Sequence, residues 1–246
     1  MGHLATLALC AALAAAAPPA EVIDRVVAVV TGGAAAVASG SSSAQAKVIT
    51  LSMLEFEARL HIILISRGRT TVATAPLDRD TLRATLTYVI GQDLLYDQAS
   101  LLGGTSTADT NKVADLHNDL ASFLGGADKL NAFLARFDIH PEHLTEILER
   151  DVLAQHYLEL KLGIEAKLTQ AEIDTFAADH AVELAIYADP DDQRRAALAG
   201  ASHERDVRLE RAQLRQLYSH AKVRIADQDF AGADAAFQPV DEGTWK

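Results

Sequence analysis

The sequence predicts a mainly α protein, a multi-helix domain with a small β-sheet formed by two N-terminal strands and one C-terminal strand. Three observations carry this prediction. The chain runs early through Val22-Ile23-Asp24-Arg25-Val26-Val27-Ala28-Val29-Val30 and returns in Lys47-Val48-Ile49-Thr50, two β-rich stretches. From Leu51 onward, apolar residues recur at three- and four-residue intervals, in segments bounded by capping residues, Gly and Pro. Ala221-Lys222-Val223-Arg224-Ile225 then switches back to a period of two, so the last strand is expected to join the first hairpin and close one domain with the chain's two ends.

Residues 1–20 read as a secretory leader. They hold the apolar run Leu4 to Cys10, an alanine tract and Pro18-Pro19-Ala20 before a small-residue cleavage point, although the start offers His3 and neither Lys nor Arg. The apolar part is too short for a stable membrane span. Leu9 in front of Cys10 argues against lipid attachment there. Residues 32–46 are Gly, Ala and Ser with Val37 and Gln45, and they read as a flexible insert inside the hairpin.

Ser52 and Glu55 have capping-box spacing, and Leu54, Ala58, Ile62 and Ile65 follow at helical intervals, so a helix is expected from about Met53 to Ser66. Pro76 and Asp78 open a second helix with Leu82, Leu86, Val89, Ile90 and Leu94 on one face. Gly91 within it marks a close approach by a neighbour. Helices are expected at 109–123 and 128–137, and Pro141 at a first turn opens a longer one to Leu162. Thr169-Gln170-Ala171-Glu172 is a second capping box, and a charged helix should span 191–220. The acidic stretch 227–246, with few large apolar groups, is expected to be loose. The domain itself is therefore placed at 21–226.

Charge and cysteine content exclude several classes. With 22 basic and 34 acidic residues the net charge is −12, which repels phosphate backbones and anionic membrane surfaces, so neither nucleic acid nor a membrane surface is an expected partner. The single cysteine lies in the leader, leaving no disulfide and no thiolate chemistry beyond it. His140 and His143 flank Pro141-Glu142, but two imidazoles without a third ligand read better as a polar helix start than as a metal site. Asp189, Asp191 and Asp192 lack the Gly and terminal Glu of a calcium loop. The other histidines, among them His117, His156, His180, His203 and His220, read as surface residues. No nucleophile elbow or phosphate loop is present, so neither a catalytic residue nor a cofactor is expected.

Taken in order, Arg25 to Val30, Val48 to Glu55, Leu144 to Leu162 with Arg150-Asp151-Val152-Leu153-Ala154, Leu168 to Ile173, and Leu217 to Ile225 resemble the N-terminal domain of the SurA-type periplasmic chaperones. The resemblance implies a helical domain completed by a returning C-terminal segment, a periplasmic location, and binding of unfolded outer-membrane polypeptides. Two departures stand out. The insert replaces the tight hairpin turn usual in that family, and Ala181 to Asp191 leads straight into the closing helix where many relatives carry a parvulin prolyl isomerase domain. His61-Ile62-Ile63-Leu64-Ile65 looks superficially like a parvulin strand but lies within a capped helix.

The function expected on this basis is an ATP-independent holdase for unfolded exported or outer-membrane polypeptides. Leu60, Ile63, Leu64, Leu95, Tyr96 and Tyr157, at the margins of their apolar stripes, are the candidate peptide-binding residues, each with core packing as the plainer alternative. The acidic surface would favour basic clients. The alternatives are a non-catalytic envelope adaptor and a prolyl isomerase with an unrecognised site. No stable membrane insertion is expected after leader removal.

Overall fold

A strand that buries Val27, Ala28 and Val30 needs hydrogen-bond partners for its backbone on both edges, and here both edges are paired. A computed structural model describes residues 24–31, 46–69, 75–101, 107–164 and 167–238. In it β1 (Val26–Thr31) is the middle strand of an antiparallel sheet, between β2 (Lys47–Thr50) and β3 (Lys222–Ile225). The β1–β2 register sets Val30 opposite Lys47 and Ala28 opposite Ile49, with an irregularity between Val26 and Ala28. The β1–β3 register sets Ala28 opposite Ile225 and Val30 opposite Val223. The two chain ends do meet, and Arg25 adds an ion pair to Asp227 at 2.7 Å. The leader with Cys10, the insert apart from Ala46, and residues 239–246 lie outside the described residues.

Among the described residues there are eight helices, seven in the order of the sequence reading and one short helix, α7, that it does not anticipate: α1 (Leu51–Ser66), α2 (Arg79–Leu101), α3 (Thr107–Leu124), α4 (Ala127–Arg136), α5 (Pro141–Ile164), α6 (Gln170–Asp179), α7 (Ala181–Leu184) and α8 (Pro190–His220). Their starts have local causes. Asp78 accepts from the Thr81 amide at 2.7 Å ahead of α2, and the Thr169–Glu172 capping box is complete at α6. Asp189 caps α8, with Pro190 in its first turn.

α1 differs from expectation. Its cap is Thr50, which accepts from the Met53 amide, while Ser52 gives its amide and hydroxyl to Asp24. The approach of Asp24 takes the hydroxyl that the expected box required. At the other end, Gly68 has φ +69 and returns its amide to the Ile63 carbonyl, and a Cβ there would lie 2.7 Å from the Phe123 carbonyl oxygen. Gly91, expected to mark a close approach, faces Leu214 of α8 and Phe237, though a Cβ would meet Leu214 at 3.5 Å, ordinary contact.

Two cores result. One lies under the sheet and holds Val27, Ala28 and Ile49, the broad face of α2, and Ala154, Tyr157 and Leu158 of α5. The other joins Phe56, Leu60 and Ile63 of α1 to α3, α4 and the first half of α5, with Phe133 and Phe137 packed on Phe56. α1 and α5 run through both, so each helix has two apolar faces rather than one.

The stretch beyond Asp227 corrects the sequence expectation of a loose tail as far as residue 238. Two 3₁₀ turns, Gln228–Phe230 and Ala235–Phe237, carry Phe230, Ala233 and Phe237 into the first core. Tyr218 stacks on Phe237 and donates its hydroxyl to Asp234 at 2.6 Å, and Arg83 donates to the Asp229 carbonyl at 2.9 Å. Three apolar groups at three- and four-residue spacing suffice to seat the segment, and the acidic composition around them concealed the pattern. Phe237→Ala should therefore cost ~3 kcal/mol or more, read as a lower urea midpoint. An unchanged midpoint would show that this segment contributes nothing to the core.

Candidate functional site

A residue with no polar partner in an apolar stripe is ordinary, but a charge in one demands an explanation. Glu57 on α1, Asp93 on α2 and Arg150 on α5 sit within buried faces, where unpaired charge costs several kcal/mol. They converge. Arg150 clasps both oxygens of Glu57, at 3.1 and 2.5 Å, reaches Asp93 at 3.4 Å and Asp151 at 3.0 Å. Lys47 of β2 pairs with the same Asp93 oxygen. Burial works against the Arg150 charge, but Glu57, Asp151 and Asp93 together push its pKa up. Burial raises Asp93 despite Lys47 and Arg150. His61, edge-on to Tyr88 and 3.8 Å from Asp151, is pushed down by burial.

This cluster ties α1, α2, α5 and β2 together, and Arg150 is engaged by three carboxylates rather than held ready for a substrate. Its chemistry is that of a fastener. Sequence reading had singled out Arg150 and Asp151 only as part of a family-like run, and it missed Glu57 and Asp93. The available signal was their position: Asp93 falls on the stripe Leu82, Leu86, Val89 and Ile90 at helical spacing, and a charge there announces a buried partner.

The six candidate peptide-binding residues are not brought together. Leu60 and Ile63 are buried in the second core, with Leu64 packed against it, while Leu95 and Tyr157 are buried in the first. Tyr96 alone borders a cleft, beside Val48, Asp93 and Asp97. The expectation of a groove built from these six is thus corrected. The margin of a stripe looks like a free surface when α1 and α5 are each credited with one buried face and the buried face of α2 is drawn too narrow.

Exposed large apolar groups of the body come singly, Val26 from β1, Val48 from β2, Ile65 from α1, Leu101 from α2 and Leu160 from α5, whereas four more belong to an arm made of α6, α7 and the first half of α8. No residue of α6 or α7 is buried, and this part of α8 buries only Ala197 and Ala201. At the arm's tip Val182 is 84% exposed and Ile186 78%, with Tyr187 beside them; Leu198 on α8 is 49% exposed. α6 is held to α8 by Phe176, which lies over Gly200, and by Arg208–Glu172 at 3.3 Å and His180–Glu204 at 3.1 Å. At the arm's root, Leu162, Leu168, Leu198 and Ala199 line an open cleft of about 700 Å³ with Lys167, Arg195, Ser202 and Arg205. Apolar walls with a few polar groups fit a ligand that is itself largely apolar.

His140 accepts from the Leu144 amide at the start of α5, and His143 pairs with Glu146 at 3.0 Å. His156 meets the buried Asp109 at 3.0 Å rather than standing free at the surface. Asp189 is a cap, and Asp192 pairs with Arg195. Among the described residues no three His, Cys, Asp or Glu side chains gather as a metal site, and no helix is long and apolar enough to cross a membrane.

Two predictions test these assignments. Burial lifts the Asp151 carboxyl to about 6, although Arg150 opposes it, with Glu57 and Asp93 adding to the rise. A raised carboxyl contributes stability that is complete below its unfolded value of 3.8 and is lost as pH rises through about 6. Asp151→Asn should therefore gain ~1–3 kcal/mol over wild type near pH 8, the gain vanishing by about pH 4. Because His61 lies 3.8 Å from Asp151 and shifts in the opposite sense, the comparison is repeated in a His61→Gln background, where the difference in thermal midpoint across pH reports Asp151; a gain independent of pH contradicts the assignment. Second, a Cβ on Gly200 would fall 2.2 Å from the Phe176 ring. Gly200→Ala should unseat Phe176, seen as faster amide exchange in α6 and α7 with exchange in α5 unchanged, whereas equal exchange throughout would mean that Phe176 does not hold the arm.

Compared with known proteins, the chain matches no family model and no curated protein sequence.

Proposed function

We propose that the protein is an ATP-independent holdase that shields apolar segments of unfolded exported polypeptides in the periplasm, with the arm as its client-binding part. The single observation carrying this reading is where the apolar surface lies. The exposed large apolar groups of the body, Val26, Val48, Ile65, Leu101 and Leu160, come one from each of five elements, whereas Val182, Ile186, Tyr187 and Leu198 stand exposed on an arm with scarcely any core of its own. The resemblance of the sequence to SurA-type N-terminal domains supports the same reading. So does the position of the tip, which occupies the stretch where isomerase-bearing relatives carry their extra domain.

The mechanism needs no cofactor. Burying exposed apolar surface gains roughly 25 cal/mol per Å², and a few side chains supply enough to offset part of the association and ordering cost without locking the client in place. An arm joined by an ion pair, a hydrogen bond and one aromatic contact can shift to fit different segments at little cost. Weak, exchanging binding of many sequences follows from both features.

The test is aggregation of an unfolded outer-membrane β-barrel polypeptide diluted from urea, followed by light scattering. Full-length protein should delay aggregation at near-equimolar ratio without ATP. Val182→Asp with Ile186→Asp, at positions that contribute little to stability, should reduce the protection several-fold while leaving the thermal midpoint in place. If wild-type protein neither binds the client nor delays its aggregation, the holdase reading falls. Capture of one stoichiometric partner with no protection of clients would favour an adaptor instead.

A further inference from the structure

The net charge of −12 implies a preference for basic clients, but the cleft at the arm's root carries the opposite local charge. Among the described residues its charged lining groups are Lys167, Arg195 and Arg205, with no carboxylate beside them in the lining. They are arranged by the helix itself. Arg195, Leu198, Ser202 and Arg205 recur at intervals of three and four along α8, so they form one face, with the half-exposed Leu198 between two guanidinium groups. Lys167 and Leu168 close the cleft from the segment before α6, and Leu162 closes it from α5.

From this we infer that the cleft selects extended client segments in which apolar side chains stand next to an Asp or Glu side chain. The inference rests on the holdase reading and names the client class of that same site. Leu162, Leu168 and Leu198 take the apolar side chains. The carboxylate meets Lys167 and Arg195 at the rim, where it competes with Asp192, the present partner of Arg195. That exposed pair is weak enough to exchange. Arg205, only partly exposed and paired with Asp206 at 3.1 Å, lies deeper and adds field rather than a free donor. The rest of the acidic surface then acts as a filter, since a segment rich in carboxylates throughout is repelled and one with a single carboxylate beside apolar groups is accepted.

The experiment measures fluorescence anisotropy of three labelled peptides of one apolar core, with capped ends and acidic, neutral or basic flanks, against full-length protein. At low salt the peptide with one acidic flank should bind about tenfold more tightly than the basic one, a ratio consistent with the two rim cations, Lys167 and Arg195, attracting the one and repelling the other. The preference should shrink as salt rises toward about 0.5 M, where such pairs are screened. Lys167→Glu with Arg195→Glu should reverse the order, and Leu198→Ser should weaken all three peptides alike, with circular dichroism confirming that each variant folds. Equal binding of the three peptides, or tighter binding of the basic one, overturns the inference and leaves the holdase reading standing. Absence of binding by any peptide, together with absence of protection in the aggregation assay, overturns both.

Discussion

The buried guanidinium of Arg150 is the constraint around which the body is arranged. A charge with so little access to water persists only where opposite charges surround it in good geometry, and Glu57, Asp93 and Asp151 provide that from α1, α2 and its own helix. The sites of these partners fix how the three helices cross. Because α1 and α5 each run through both cores, the cluster also sits where the two cores join. Lys47 extends the tie to β2 and hence to the sheet that closes the chain upon itself. Apolar packing supplies the driving force for this body, but it is tolerant of sliding; the ion cluster is not, since displacing one partner strands a buried charge.

The arm obeys a different economy. α6 has no buried residue, and α8 approaches it through Ala197, Gly200 and Ala201, small groups that bring the backbones close while burying little area. What holds the arm is Phe176, the Arg208–Glu172 ion pair and the His180–Glu204 hydrogen bond on an exposed seam, each worth a fraction of the buried cluster. A part that buries little can expose apolar surface without compromising the fold, and it can move without unfolding it. Both properties suit the capture of varied chains, and they are absent from the body, where every broad apolar face has found a partner.

Much of this organisation was legible in the residues. Helix starts were readable because caps act locally: Thr169 with Glu172, Asp78, and Pro141 perform their roles whatever packs on the helix. The pairing of β1 with β3 was readable because a run of buried β-branched residues requires neighbours on both edges. The first cap of α1 was not, because Asp24, distant in sequence, takes the Ser52 hydroxyl. The seating of Phe230 and Phe237 was hidden by the acidic residues around them, Asp227, Asp229 and Asp234. The groove residues were misplaced for a related reason: Leu60 lies at the edge of one stripe of α1 but within the second core, and Leu95 lies in the same core as the α2 stripe, whose buried face is broader than the stripe drawn from the sequence.

The sequence by itself determined the longer helices, their order, the sheet formed by the first and last strands and the absence of a cysteine beyond Cys10, because periodicity, capping and composition are properties of neighbours along the chain. The tertiary structure alone decided that Glu57, Asp93 and Arg150 meet, that Leu60, Ile63, Leu95 and Tyr157 are interior, and that Val182, Ile186, Tyr187, Leu198 and a cationic cleft belong to the arm. Periodicity states that a face is buried or amphipathic. What covers that face, and which charges are brought within reach across it, depends on how helices far apart in sequence cross.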